Sequence, residues 1–358
     1  MSEERRNPLT TRQIRHGLVV GKFYPLHAGH MALIRNATTA CEKVTVEVIG
    51  GSTESIPVSA RAQWVGTEHP TVRVKHCVDD SEIDFDSPSA WDHHTEVIRG
   101  LLDEPVDAVF TSDDYGGELA RRLGATWVQV DPGRSAVPVS GTAVRSDIAG
   151  HWWALPPAVR AYFCRRVVVV GAESTGTTTL ATALATHYQT RCVPEFGRTW
   201  SEIRPGGLSA PWHTDEFDHV ATEQARTEDE AARGAAVPVI IADTDVLATA
   251  IWHERYVGFP SVSVKMLATQ RVPDLYILTD CDIPFVDDGM RDGEHLREWM
   301  DRRFRDELAA QPAPWFSVGG THPERLARAI QEIDRMLGRG WTLAPSLEQQ
   351  QATGRLSI

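Results

Sequence analysis

The sequence predicts two α/β domains in one chain, and three observations carry that expectation. From residue 17, short β-rich runs alternate with helical segments, the pattern of a parallel sheet whose crossovers are helices. After the paired prolines at 156 and 157 a fresh apolar run, residues 167–170, opens a second series of the same kind. The length, 358 residues, exceeds what one hydrophobic core ordinarily organises and suits two.

GLVVGKF is the first strand and HMALIRNATTACEK the helix that leaves it; VTVEVIGG, the helical ARAQWVGTEH and VRVKHCV follow. VDAVFTSDD at 106–114, the helical GGELARRLG and TWVQVD at 126–131 complete the first series. The second runs from VVVV through a Gly/Thr-rich turn into the helix TTTLATALATHYQ, then VPVIIAD at 237–243 and LYILTD at 275–280. The boundary falls near residue 165, which predicts a flexible tail over 1–16, domains over 17–165 and 166–340, and a disordered tail over 341–358, where EQQQATG is low in complexity.

Composition excludes several classes. Hydrophobic residues at 42% and charged residues at 24% describe a folded chain rather than a disordered or fibrous one. No run approaches the roughly 18 apolar residues of a membrane span, and Arg5, Arg6, Arg12 and Arg15 precede no apolar signal segment, so a cytoplasmic protein is expected. Five scattered cysteines without a CxxC predict reduced thiols, neither disulfides nor a zinc site. A net charge of −13 disfavours nucleic acid as a partner and requires any polyanionic ligand to be met locally. With only four lysines in the chain, arginine is expected to supply most of the positive charge.

The string Gly21-Lys22-Phe23-Tyr24-Pro25-Leu26-His27-Ala28-Gly29-His30 closes the first strand and opens the first helix. A helix N-terminus offers unpaired N–H groups and partial positive charge to a phosphate. His27 and His30, three apart, can aim ring N–H donors at the same place, and Gly29 removes a side chain from the approach. GKFYPLHAGH resembles the GxFxPxHxGH signature of the nucleotidyltransferase superfamily, and Ser140-Gly141-Thr142-Ala143-Val144-Arg145 is similar to that superfamily's second element at the start of a later helix. The resemblance implies a Rossmann-like HxGH domain in which Gly21, Lys22, Phe23, His27, Gly29, His30, Asp114, Tyr115, Ser140, Thr142 and Arg145 bind ATP. Thr142 is expected to cap the later helix, and Arg145 to fork onto the β- and γ-phosphates. The implied chemistry is in-line attack of a substrate phosphate on the α-phosphorus, with Mg²⁺ required.

TSDDYGGELA, VDPGRSAVPVSGTAVR, LPPAVRAYF, ADTDVLAT and DIPFVDDGMRDG further resemble the bifunctional NadR type, over roughly residues 17–335. That type joins a nicotinamide mononucleotide (NMN) adenylyltransferase to a P-loop ribosylnicotinamide kinase; the partners implied are ATP, NMN, nicotinamide riboside and NAD, in a homo-oligomer. Trp91, read as lying in a polar loop, is expected to stack on the pyridinium. Arg61 is read either as an NMN phosphate contact or as part of a solvated helix face. No DNA-binding helix-turn-helix is expected from the sixteen residues before the first strand.

Gly171-Ala172-Glu173-Ser174-Thr175-Gly176-Thr177-Thr178-Thr179 lies between strand and helix as a P-loop does, with Thr177 where the pattern needs lysine. The backbone nest survives the exchange, and Thr178 with Asp243 remains able to hold Mg²⁺. Either an arginine, Arg291 first and Arg297, Arg302 and Arg303 beyond it, restores the lost charge, or the domain binds nucleotide without catalysis. Glu195, Arg198, Asp243 and Asp245 are the candidate riboside contacts, Glu195 or Asp243 accepting the 5′-hydroxyl proton; Asp245 reads equally as a helix cap.

Overall fold

The computed structural model describes residues 14–84, 86–207, 209–285 and 294–356, and the chain divides into two compact units. The first comprises Met1–Val159 with Trp341–Ile358, the second Arg160–Gly340.

The first unit holds five parallel strands, β1 Ile14–Gly21, β2 Cys41–Gly50, β3 Arg73–Val78, β4 Ala108–Thr111 and β5 Thr126–Gln129, in the order β3-β2-β1-β4-β5. Successive strands add to one side of β1 and then to the other, so the switch point lies between β1 and β4, where a crevice opens beyond the strands' C-terminal ends. Leu18, Val109, Ile98 and Leu119 pack one face. Gly116 permits a close approach there: a Cβ would lie 2.0 Å from Thr111 Oγ1 and 2.4 Å from Trp127 Nε1.

The second unit repeats the principle with a different order. Strands β6 Arg165–Gly171, β7 Cys192–Val193, β8 Val239–Asp243, β9 Leu275–Thr279 and β10 Trp315–Val318 run parallel as β10-β9-β6-β8-β7, with β6 central. Val167, Val169, Ile241 and Ile277 are buried against Leu180, Leu184 and Ile333 from the flanking helices. Near-continuous apolar strands of this kind follow from covering both faces of a parallel sheet.

Four expectations need correction. The first strand starts at Ile14, inside the expected tail, because His16 is buried and its ring nitrogens meet Thr45 Oγ1 at 2.8 Å and Pro105 O at 3.0 Å. The unit boundary falls inside the helix Pro157–Phe163 rather than at 165. Trp91 sits in the first turn of the helix Pro88–Leu101, whose N-terminus Ser87 caps by accepting from Ala90 N. The segment expected to be disordered from 341 is ordered to 356, with a helix Leu347–Leu356 and with Ser346 and Leu347 buried. Its polar composition hid partners that are remote in sequence.

Candidate functional site

In the first unit a cavity of about 340 Å³ occupies the switch-point crevice, a size that suits a nucleotide-scale ligand. Gly21, Lys22, Phe23, His27, Gly29, His30, Tyr115 and Trp91 all line it. His27 is the N-cap of the helix Ala28–Ala40, its Nδ1 accepting from Gly29 N at 3.1 Å, which leaves the ring proton on Nε2. The His30 ring stacks on it with centroids 3.7 Å apart, and His30 Nδ1 is buried without a hydrogen bond. Burial first, then the charges of Arg134 and Arg145, holds the His27 pKa down to about 4; burial and the His27 ring hold His30 well below its ordinary value. Both imidazoles are therefore neutral N–H donors near neutral pH.

Arg145, on the helix Gly141–Ser146, donates to Tyr24 O at 2.7 Å, Thr142 Oγ1 at 3.1 Å and Gln349 Oε1 at 3.0 Å. The cap of that helix is Ser140, which accepts from Ala143 N; Thr142 lies inside the helix and serves Arg145 instead. Asp114 caps no helix hydrogen bond and lies beside the main cavity, accepting from Gln129, whereas its neighbour Asp113 lines the cavity. Trp91 is half-buried, with the Arg122 guanidinium 5.7 Å from its ring.

Arg61 does not sit on a solvated helix face. It has no exposure and does not line the cavity: Nη1 donates to Glu54 at 2.7 Å and to Lys22 O at 3.0 Å. The guanidinium lies so close to Gly50 that a Cβ there would come within 2.6 Å of it. Nη1 thus braces Glu54 and the Lys22 backbone, while Nε and Nη2 are buried without a hydrogen bond. Arg134, which lines the cavity and pairs with Asp113 at 3.1 Å, lies in the string VDPGRSAVPVSGTAVR but was not singled out from it.

In the second unit the Gly/Thr-rich turn leaves β6 with Ser174 at φ +56° and Gly176 at φ +89°, and the helix Thr177–Tyr188 begins at once. The turn is packed tightly, since a Cβ on Gly171 would lie 2.2 Å from Thr279 Oγ1. Thr175 is buried and spends its hydroxyl on Ala172 O at 2.7 Å. The Thr177 and Thr178 side chains face the Asp243 carboxylate at the end of β8 closely enough to pull its pKa down. Burial pushes Asp243 up, and those side chains and Arg198 pull it down.

A second cavity, about 130 Å³, is lined by Gly171, Ser174, Thr177, Glu195, Arg198 and Asp243, with Trp212, Trp252 and Tyr256 as an aromatic wall. Trp252 and Tyr256, four apart on the helix Val246–Val257, carried a spacing signal that the sequence reading missed. Asp245 does not line that cavity: it caps this same helix through Ala248 N at 2.9 Å and accepts from the buried Tyr276 hydroxyl. Of its two readings the cap is the one realised.

Arg291 lies outside the described residues. Arg303 is tied to Glu254 and Glu307, and Arg302 is exposed. Arg297 reaches the turn, Nη2 donating to Ser174 O at 3.4 Å and to Ile283 O at 2.9 Å, while its Nε is buried without a hydrogen bond.

Fold and turns together define a two-unit α/β protein with a glycine-containing strand-to-helix turn at the head of each sheet. A family model described as an AAA domain matches residues 166–325. The chain is 26% identical over 353 residues to the trifunctional NAD biosynthesis/regulator protein NadR of Salmonella typhimurium, covering 91% of this chain and 84% of that protein. It is 28% identical over 348 residues to the protein of the same name from Escherichia coli, covering 90% and 83%. Two solved structures share the fold: a NadR protein in complex with NR (TM-score 0.69, 20% identity, 90% of this chain and 96% of that one) and a NadR protein in complex with NAD and AMP-PNP (0.64, 19%, 91% and 96%). The chain is thus similar in sequence to the NadR proteins over about nine-tenths of its length, as the motifs implied. No helix among the described residues is long and apolar enough to cross a membrane.

Proposed function

We propose that the first unit transfers AMP from ATP to NMN, giving NAD and pyrophosphate, and that the second phosphorylates nicotinamide riboside at its 5′-hydroxyl. The observation that carries the first half is the pair of neutral, stacked histidines at a helix N-terminus facing a cavity that Lys22, Arg134 and Trp91 also line. The attacking NMN phosphate is already ionised, so the new P–O bond forms on the α-phosphorus as pyrophosphate leaves, without a general base. His27, His30, Lys22 and Arg145 hold the phosphates in line and offset the developing charge, and Trp91 offers its face to the pyridinium.

In the second unit the ATP phosphates lie on the backbone turn Gly171–Thr178. Thr178 and Asp243, a hydroxyl and a carboxylate brought together at the turn, suit Mg²⁺. The ion would neutralise phosphate charge in both reactions. Glu195 is left to take the 5′-hydroxyl proton. The charge that Thr177 cannot supply comes from Arg297, the arginine with a buried spare donor beside the turn. The absence of lysine at 177 also favours a second reading, in which this unit binds nucleotide without catalysis.

The test is chromatography of the protein incubated with ATP, Mg²⁺ and either NMN or nicotinamide riboside. NAD from both supports both halves; NAD from NMN alone removes the kinase and favours the second reading; NAD from neither overturns the proposal.

A further inference from the structure

Residues 341–358 follow the second unit in sequence yet belong to the first. Tyr24 donates its hydroxyl proton to Ala344 O at 2.9 Å, Ala344 N donates to Ser55 Oγ at 2.7 Å, and Leu347 N donates to the buried Glu54 at 3.0 Å. Thr53 donates to Gln350 at 2.9 Å, and Gln351 accepts from Ile83 N at 2.9 Å while donating to Ser81 O at 3.1 Å. The segment therefore lies across the turns that follow β2 and β3, and Leu347 and Glu348 form part of the cavity wall.

What it does there follows from two contacts. Glu348 Oε1 stands 3.3 Å from Lys22 Nζ, and Gln349 Oε1 accepts from Arg145 Nη2 at 3.0 Å. An acidic and an amide oxygen thus rest on two cations that a polyphosphate would use. The Lys22 contact is replaceable: Nζ is buried without a hydrogen bond, and its ion-pair neighbours are Glu54 at 3.7 Å and Glu348. A triphosphate reaching Lys22 beside Glu348 would place like charges together, which is unfavourable in a half-buried cleft.

We propose that residues 344–351 form a strap displaced by substrate, in which Glu348 and Gln349 stand in for phosphate oxygens on Lys22 and Arg145 and set the affinity of the first site for ATP. The proposal rests on reading Lys22 and Arg145 as phosphate ligands. Glu348 is half-exposed, its side chain 48% accessible, so its replacement leaves the fold intact.

The experiment measures ATP binding by calorimetry for the full-length protein and for E348Q and E348K, each also carrying Gly176→Asp, which sets a carboxylate in the second unit's backbone nest and repels phosphate there, so that the first site is read. Hydrogen exchange over 341–352 is followed in parallel with and without ATP. Loss of one exposed ion pair and its repulsion predicts about threefold tighter binding for E348Q and more for E348K. ATP is expected to deprotect the strap in the parent protein. Unchanged or weaker binding in E348Q, or a strap that ATP protects further, overturns the proposal. Were NMN turnover absent while the ATP affinities followed the predicted order, the adenylyltransferase reading would fail and the strap would stand.

Discussion

Replacing Arg61 by methionine separates a strut from a ligand. The Arg61–Glu54 pair has no exposed side-chain surface, with Nη1 2.7 Å from the carboxylate. Removing one partner of a buried pair leaves an uncompensated charge at a cost of about 3–5 kcal/mol. Lys22, 3.7 Å away, and Leu347 N partly compensate Glu54, so the lower end of that range applies. For a unit of this size about 3 kcal/mol corresponds to a melting temperature lowered by roughly 6–12 °C. Calorimetric scanning of Arg61→Met should show that fall, and Arg61→Met with Glu54→Met should recover only part of it, because two apolar side chains replace the pair while Leu347 N and Lys22 lose the Glu54 carboxylate. The KM for NMN should stay within a few-fold. A variant that melts within about 2 °C of the parent but whose KM for NMN rises tenfold would refute the strut and restore Arg61 as a phosphate ligand.

Other consequences follow from the same geometry. Arg297→Ala should lower riboside phosphorylation by about 10³-fold, the scale of a positioned arginine in phosphoryl transfer, and Thr177→Lys in that background should restore it; a kinase indifferent to Arg297 would exclude the compensation. His27 titrates near 6.5 when unfolded but near 4 when folded. As pH falls below 6.5 the unfolded chain therefore binds the proton first, and the first unit should lose up to about 3 kcal/mol by pH 4. Melting curves against pH for the parent and His27→Asn check this, the variant losing that part of the slope. Gly116→Ala should destabilise the first unit by about 1–3 kcal/mol or more, since its Cβ would collide with Thr111 and Trp127; denaturant melts measure it.

Local pattern along the chain was enough to define the two α/β units, most of the strands that build them and the two turns at their heads. Those features are written in local terms: apolar runs of strand length, helical spacing behind them, and glycines and histidines within ten residues of one another. Arg145, more than a hundred residues from His27, was legible only because SGTAVR resembles a known second element. Only the folded chain shows what Arg61, Asp245, Trp91 and residues 341–356 contact. Arg61 and Asp245 carry charges that look available in sequence, yet each has a buried partner, Glu54 for Arg61 Nη1 and the helix end with Tyr276 for Asp245. β10 and the strap escaped for a related reason. A short edge strand and a glutamine-rich tail bury little surface of their own, and the groups that hold them, β9 for one and Tyr24, Glu54 and Arg145 for the other, come near only when the chain has folded.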